Sequence, residues 1–235
     1  MDIRVIRETG STNADMLALA GEGVPEGVWL RAERQTSGKG RMGRQWEGDE
    51  GNLYASTLVR LRDGDPPAPS LALVAGVAVH AALTHFAPDS GLTIKWPNDI
   101  LADQAKIAGI LLERAGDAVV IGIGVNVTHH PLLTDRATTS LRALGVSMCD
   151  ATSLCEELAG QCVQMLALWR SHGLDAIRSQ WLSRAHPPGS PLLARLPDGT
   201  QVEGQFETLD RDGALILRLA NGARSVIHAA DIFLL

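Results

Sequence analysis

Basic residues and glycines alternate within residues 31–46 of this 235-residue chain. The basic residues of the segment are Arg31, Arg34, Lys39, Arg41 and Arg44. Because the whole chain has a formal net charge of −6, a local basic stretch predicts an anionic ligand. Gly38, Gly40 and Gly43 would let backbone N–H groups approach a phosphate closely and would let the loop move.

The spacing of these three glycines matches the pattern of a dinucleotide-binding fingerprint. That fingerprint needs a helix directly after it, whose N-terminus holds the pyrophosphate. Residues 44–52 are instead polar and glycine-rich, which predicts a loop. We therefore interpret residues 38–46 as a phosphate-binding loop, with a solvated basic loop as the alternative.

A second chemical segment runs from Lys95 through Trp96 and Pro97 to Asn98 and Asp99. It ends a predicted strand, so proline would fix a turn that holds one lysine rigidly. Asn98 adds an amide, and the carboxylate of Asp99 could serve magnesium. A simple turn is the alternative interpretation.

Glycines also interrupt two later strands. Lys106 opens one strand and Gly109 follows within it, while Gly122 and Gly124 precede Asn126 in the next. Strand glycines often mark the close approach of a ligand or of another backbone. Core packing is the alternative for both strands.

The surrounding pattern predicts an α+β domain with helices packed on one mixed or antiparallel sheet. A helix is expected from the N-cap residue types at Ser11, Thr12 and Asn13, and another after a capping box formed by Ser153 and Glu156. The other predicted elements are a helix at 70–86 and strands at 28–34, 53–61, 92–96, 107–114 and 118–127.

A Pro/Gly stretch at residues 185–191 separates two kinds of sequence. After it, glycine-containing turns at 197–199, 212–213 and 221–222 separate short strands, which predicts a small β barrel. We therefore divide the chain into residues 1–186, the catalytic and ligand-binding domain, and residues 187–235, the β domain.

Composition narrows the classes of function. The net charge of −6 argues against bulk nucleic-acid binding, and the spacing of Cys149, Cys155 and Cys162 matches no zinc or redox motif. No uninterrupted apolar run reaches the ~18–20 residues that span a bilayer, and no signal pattern opens the chain. We expect a cytoplasmic protein.

Together these segments resemble the biotin–protein ligases, also called holocarboxylase synthetases. The resemblance is strong over about residues 1–130, and residues 187–235 look like the SH3-like domain of that family. The matching strings are Ser11-Thr12-Asn13, residues 35–46, residues 95–99, residues 106–113 and residues 122–127. The resemblance implies a class II synthetase-like catalytic domain and, because Ser11 comes so early, no DNA-binding domain ahead of it.

The resemblance also implies which residues bind biotin and its adenylate. Ser11, Thr12 and Asn13 would lie beside the ureido ring of biotin. Catalytic roles are implied for Lys95, which would touch the biotin carboxylate and the α-phosphate, and for Lys39 and Arg41 on the closing loop. Lys39 stands where the family more often has arginine, which loses a bidentate fork. The implied substrate-binding set is Ser11, Thr12, Asn13, Gln35, Gly38, Lys39, Gly40, Arg41, Trp46, Lys95, Asn98, Lys106, Gly109, Gly124 and Asn126.

The implied reaction activates biotin with ATP to give biotinyl-5′-AMP, and then transfers biotin to a lysine of a carboxylase carrier domain. Biotin is a substrate, ATP a co-substrate and Mg²⁺ its counter-ion; no tightly bound cofactor or confident metal site is expected. A monomer or homodimer acting without DNA or membrane is expected. The alternatives are a lipoate–protein ligase and a non-catalytic biotin-binding module, which ATP turnover would distinguish.

Overall fold

Two β-sheets form the framework of the protein in a computed structural model that describes residues 2–46 and 48–234. Met1, Glu47 and Leu235 lie outside the described residues. The strands of the larger sheet are β1 (Asp2–Thr9), β2 (Val28–Gln35), β3 (Leu53–Arg60), β4 (Leu92–Lys95), β5 (Asp99–Ala102), β6 (Ala105–Ala115) and β7 (Ala118–Val125). The helices are α1 (Thr12–Gly21), α2 (Leu71–Phe86) and α3 (Ala151–Leu182).

The larger sheet has seven strands in the order β1-β2-β3-β7-β6-β5-β4. It is mixed, because β1 pairs with β2 in parallel while the other neighbours are antiparallel. Helix α1 packs on one face through Met16 and Ala20, and α2 and α3 cover the other face. The predicted α+β class is confirmed.

The smaller sheet is antiparallel and follows the Pro/Gly stretch. Its strands are β8 (Pro191–Arg195), β9 (Gln201–Leu209), β10 (Leu215–Arg218), β11 (Arg224–Ile227) and β12 (Asp231–Leu234). They lie in the order β11-β10-β9-β8-β12, and the predicted glycine turns fall between β8, β9, β10 and β11. Gly199, Gly213 and Gly222 all have positive φ, which explains why glycine is needed in these turns.

Two strands of the larger sheet were not predicted. β1 is an edge strand with charged, half-exposed residues, so its sequence lacks the apolar alternation of a strand. β5 has only four residues and begins directly after the turn at Pro97. Both strands exist because a neighbouring strand supplies their hydrogen bonds.

The predicted capping box of the long helix is wrong by three residues. Asp150, not Ser153, is the N-cap, and its carboxylate accepts hydrogen bonds from the backbone of Thr152 and Ser153. Ser153 instead completes the box by accepting from the Asp150 backbone at 3.2 Å. The helix bends at Gly173, whose φ of +73° suits glycine.

One helical segment, Ala68–Phe86, is long and apolar enough to cross a membrane, with a mean hydropathy of 1.4. It is not an uninterrupted apolar run, because His80 and Thr84 lie within it. Because 61% of the segment is buried inside the fold, it has the position of a core helix.

An ion-pair cluster ties α3 to the sheet. Arg170 of α3 binds both carboxylate oxygens of Glu26 at 2.6 and 2.8 Å and also contacts Asp65 at 3.2 Å. The same Glu26 carboxylate accepts from the Arg60 backbone at 2.8 Å. Burial would raise the pKa of Glu26, but the hydrogen bonds from Arg170 and Arg60 outweigh it and hold the pKa below its usual value.

We expect Glu26→Gln to lower the free energy of unfolding by about 1–3 kcal/mol at pH 7, because it leaves Arg170 without its charged partner. The ionised Glu26 stabilises the fold above its unfolded-state pKa, and this contribution is lost as the pH falls through the lowered native pKa. Urea denaturation between pH 3 and pH 7 should therefore show a smaller acid-dependent loss of the free energy of unfolding for Glu26→Gln.

The control is Glu8→Gln, which breaks an exposed pair with Arg34 and should change stability by less than about 0.5 kcal/mol. Equal pH dependence of wild type and Glu26→Gln would contradict the prediction.

Candidate functional site

The predicted site residues converge on one cleft of about 990 Å³ that is open to solvent. The cleft lies between the start of α1, the β2–β3 loop, the β4–β5 turn, the paired strands β6 and β7, and the start of β12. Of the predicted set it is lined by Ser11, Thr12, Asn13, Gln35, Lys39, Gly40, Arg41, Trp46, Lys95, Asn98, Lys106, Gly109 and Gly124. Gly38 and Asn126 are not among its lining residues.

A buried polar network fixes the first turn of α1. Thr12 donates from its backbone and its hydroxyl to Gln35 Oε1, at 2.8 and 3.1 Å. Ser56 Oγ lies 2.8 Å from Thr12 Oγ1 and 2.6 Å from Asn13 Oδ1. The Asn13 amide donates to Glu113 Oε2 at 2.7 Å. Sequence analysis assigned no role to Ser56 or Glu113, because their roles depend on strands that meet only in the folded sheet.

Strand glycines create the space that this end of the cleft needs. A Cβ atom on Gly122 would lie 2.7 Å from Asn13 Cγ, so only glycine leaves room for the asparagine. Gly109 and Gly124 are cross-strand partners, and the Trp46 indole lies on both. A Cβ atom on Gly124 would be 2.7 Å from Trp46 Cζ2, and one on Gly109 would be 2.9 Å from Cζ3. The close approach is to protein side chains here, and it shapes the cleft.

Two lysines share one carboxylate at the centre of the cleft. Lys95 ends β4 opposite Asp99, which begins β5, and their charged atoms are 4.0 Å apart. Lys106 of β6 binds the same carboxylate at 2.6 Å and lies 5.3 Å from the centre of the Trp46 ring. Burial lowers the pKa of Lys95, the positive charges of Lys106 and Arg136 lower it further, and Asp99 opposes the shift.

The carboxylate of Asp99, which the sequence suggests as a magnesium ligand, is paired with two lysines in the structure. Asp99 is engaged by both lysines, so it stabilises their positive charge. Within residues 2–46 and 48–234 no group of three or more His, Cys, Asp or Glu side chains could hold a metal ion.

The basic loop closes against both sheets. It folds back on itself through a bridge between Lys39 and Gln45 and a backbone hydrogen bond from Gly40 to Arg44 O at 2.7 Å. Arg41 donates to Asn98 Oδ1 and to the carbonyl of Ala230, both at 3.3 Å. Asn98 is itself held by its amide, which donates to Ile110 O at 2.8 Å.

Arg44 forms an ion pair with Asp231, the first residue of β12. Asp231 is not among the predicted site residues. The structure places Asp231 in the cleft, together with Arg44 and Arg136, which were also absent from the predicted set. Arg44 belongs to the basic segment noted in the sequence, but no local pattern indicated Asp231 or Arg136, because the chain segments that carry them are far from that loop in sequence.

The two predicted residues outside the cleft act from behind it. A Cβ atom on Gly38 would lie 2.7 Å from the Trp46 carbonyl, so Gly38 permits the loop to fold closely on itself. Asn126 is buried, and its amide donates to Thr139 O at 2.9 Å, which ties down the segment after β7. Asn126 also lines a neighbouring cavity that is open to solvent and shares Arg44, Trp46, Lys106 and Arg136 with the cleft.

Comparison with known proteins agrees with this architecture. Residues 9–126 match the biotin/lipoate A/B protein ligase family, and residues 189–235 match the biotin protein ligase C terminal domain. The chain belongs to the biotin/lipoate A/B protein ligase family. Among its relatives is the biotin–(acetyl-CoA-carboxylase) ligase of Paracoccus denitrificans, which is 38% identical over 97% of this chain and 99% of the relative.

Two further relatives support the same placement. The biotin–(acetyl-CoA-carboxylase) ligase of Mycobacterium tuberculosis is 37% identical over 97% of this chain and 87% of its own length. The structure of the biotin protein ligase from Aquifex aeolicus in complex with biotin and ATP covers 100% of this chain and 99% of that one, with a TM-score of 0.87 at 24% identity. The Aquifex comparison establishes the likeness of the fold.

We expect Gly124→Ala to displace the Trp46 indole from the sheet, because the new methyl group would overlap the ring. The measurement is the ¹⁹F spectrum of protein labelled with 5-fluorotryptophan, in which Trp46→Phe assigns the relevant resonance. Gly160→Ala in α3 is the control: its Cβ meets nothing within 4 Å. That control should leave the Trp46 resonance unchanged while stabilising the helix by about 0.5–1 kcal/mol. An unshifted Trp46 resonance in Gly124→Ala would show that the ring does not rest on Gly124.

Proposed function

We propose that this protein activates biotin with ATP to give biotinyl-5′-AMP, and then transfers the biotinyl group to a lysine of a biotin-dependent carboxylase's carrier domain. The observation that carries the proposal is the central pair of lysines. Lys95 and Lys106 flank one carboxylate in the main cleft, and Lys106 also lines the second cavity. Two adjoining cavities fit a reaction that joins two small molecules.

Biotin binds at the α1 end of the cleft. The first turn of α1, with Ser11, Thr12 and Asn13, provides hydroxyl and amide groups of fixed orientation for the ureido ring. Gln35 adds a further amide, and Trp46 provides an apolar surface. Prearranged polar groups in a partly apolar cleft are typical of small-molecule sites.

The first reaction step brings two negative groups together. An oxygen of the biotin carboxylate attacks the α-phosphorus of ATP, the bond to the β-phosphate oxygen breaks, and pyrophosphate leaves with the electron pair. At ~4 Å the repulsion between two unit charges is on the order of 4 kcal/mol at an effective dielectric constant of about 20. Lys95 offsets this repulsion from a rigid strand end, while Arg41 and Lys39 act from the loop. ATP carries Mg²⁺, which when bound neutralises charge on its phosphates.

In the second step the amine of the acceptor lysine attacks the biotinyl carbonyl and AMP leaves. This step needs no nucleophile from the enzyme, since the mixed anhydride is already activated. Arg41 donates to the carbonyl of Ala230, and Arg44 pairs with Asp231 at the start of β12. These contacts of the loop would keep water from the adenylate. Residues 187–235 therefore contribute to the closed site in this proposal, and residues 1–186 carry the substrate groups.

The remaining parts of the proposal concern the setting of the reaction. We infer a cytoplasmic enzyme that acts as a monomer or homodimer, without DNA or membrane. Its similarity to two ligases of bacterial carboxylases supports a carboxylase carrier as the acceptor.

The deciding experiment is pyrophosphate exchange into ATP, run with biotin, with lipoate and with neither acid. Exchange that depends on biotin alone supports the proposal. Exchange with lipoate would favour the lipoate–protein ligase alternative. Biotin binding without any exchange would make the chain a non-catalytic binding module.

We expect Lys95→Ala to lower the rate of biotin-dependent exchange by at least about 100-fold, because one preorganised donor contributes roughly this much to such a transition state. Arg62→Ala, which removes an exposed cation outside the cleft, is the control and should retain the wild-type rate. A Lys95→Ala rate within about threefold of wild type would remove Lys95 from the mechanism.

The pH dependence of adenylation should report the charge on Lys95. Because the pKa of Lys95 lies below its usual 10.5, exchange should decline as the pH rises through that lowered value. Asp99→Asn removes a charge that raises the pKa of Lys95, so its alkaline decline should move to lower pH. Asp117→Asn, which alters an exposed pair with Arg60, should keep the wild-type profile. Superimposable profiles for Asp99→Asn and wild type would contradict this coupling.

A further inference from the structure

Arg136 is a cleft residue to which sequence analysis gave no role. It lies in the segment after β7, and its side chain lines both the main cleft and the neighbouring cavity. Because Arg136 lines both cavities, it lies where a molecule bound in one cavity would meet a molecule bound in the other. This position makes Arg136 a candidate for contact with whichever part of a substrate extends between them.

The backbone around Arg136 is pinned to the start of β6. Lys106 donates to Ala137 O at 2.9 Å and accepts from the Thr139 backbone at 3.0 Å. These two bonds add a short parallel bridge beside β6. Asn126 strengthens this bridge, because its side-chain amide donates to Thr139 O at 2.9 Å. The Arg136 side chain is therefore attached to backbone that lies next to Lys106, and the sheet determines the position of that backbone.

The guanidinium group of Arg136 is paired with a carboxylate that another anion could replace. It binds the carboxylate of the preceding residue, Asp135, with Nη2 at 2.6 Å and Nε at 3.1 Å from Oδ2. The Asp135 side chain is 55% exposed, whereas that of Arg136 is 21% exposed. An exposed carboxylate bound to a half-buried arginine contributes little stability, so a more highly charged anion could displace it.

The charges around Arg136 belong to the reaction centre. Its pKa is raised by the hydrogen bond that it donates to Asp135, and the charges of Asp99 and Asp231 raise the pKa further. Arg136 in turn helps to lower the pKa of Lys95. These couplings, together with the shared lining of the cleft, place the guanidinium in the same electrostatic field as the central lysines.

We propose that Arg136 binds the β- and γ-phosphates of ATP, and the pyrophosphate that leaves, by exchanging the Asp135 carboxylate for phosphate oxygens. This inference rests on the proposed function. The planar guanidinium fork fits two oxygens of a phosphate, as it now fits a carboxylate. The β- and γ-phosphates extend from the reacting α-phosphorus on the side away from the attacking carboxylate, and Arg136 lines both the main cleft and the neighbouring cavity into which they could extend. Asp135 keeps the fork oriented before the nucleotide arrives.

The first test is steady-state kinetics of Arg136→Gln in full-length enzyme with MgATP, biotin and inorganic pyrophosphate. We expect the KM for ATP to rise by about 10-fold or more, as for the loss of a charged hydrogen-bonding group. Inhibition by added pyrophosphate should weaken by a similar factor, and the KM for biotin should stay within about twofold of wild type. Arg142→Gln is the matched control, since Arg142 follows in the same segment but is exposed and outside both cavities.

The second test uses Asp135→Asn, which separates phosphate binding from a merely structural ion pair. If phosphate displaces the carboxylate, weakening this competitor should lower the KM for ATP or leave it unchanged. If the pair only holds the segment in place, Asp135→Asn should raise the KM for ATP as Arg136→Gln does, and that result would overturn the proposal. Arg136→Lys should fall between wild type and Arg136→Gln, because lysine keeps the charge but loses the fork.

The outcomes also separate this inference from the proposed function. Wild-type enzyme without biotin-dependent exchange would reject the proposed function itself. Wild-type exchange with unchanged ATP and pyrophosphate constants in Arg136→Gln would reject the role of Arg136 alone. A lower kcat in Arg136→Gln with both constants unchanged would likewise overturn phosphate binding by this residue.

Discussion

The compensation of buried positive charge by Asp99 is the constraint on which the site depends. Lys95 and Lys106 are both mostly buried beside each other, and like charges this close disfavour one another. The Asp99 carboxylate lies between the two ammonium groups and offsets their mutual repulsion. Asp99 can do so because β4, β5 and β6 are adjacent antiparallel strands, which bring residues 95, 99 and 106 together. The sheet topology thus places two lysines and one carboxylate together in the cleft.

The loop over this site depends on the same sheet. Paired glycines in β6 and β7 leave a flat surface, and the Trp46 indole rests on it beside Lys106. From there the loop reaches across to the smaller sheet through Arg41 and Arg44. These contacts join residues 41 and 44 to residues 230 and 231, so the loop and the C-terminal sheet are linked across the cleft. A loop held by exchangeable polar contacts can open for substrates and close over an intermediate.

Local patterns in the sequence predicted most of the framework. The helices at 70–86 and after Ser11, and the strands that became β2, β3, β6 and β7, followed from apolar patterning and cap residues. The predicted site also assembled in one cleft, apart from Gly38 and Asn126, which support it from behind. Failures occurred where the local signal was short or misleading. β1 and β5 depend on their neighbours for hydrogen bonds, and Asp150 rather than Ser153 begins the long helix because its carboxylate reaches two backbone amides.

The sequence by itself determined the chemistry that is present: a glycine-rich basic loop, lysines at strand ends, polar N-cap residues and a turn-rich β segment. These are properties of residue type and spacing, and each acts over a few positions along the chain. Only the tertiary structure decided the partners. It joined Asp99 to two lysines, Arg44 to Asp231, and Arg136 to the junction of two cavities. The physical reason is that an ion pair depends on distance in space, and sheet pairing brings together residues that lie far apart in sequence.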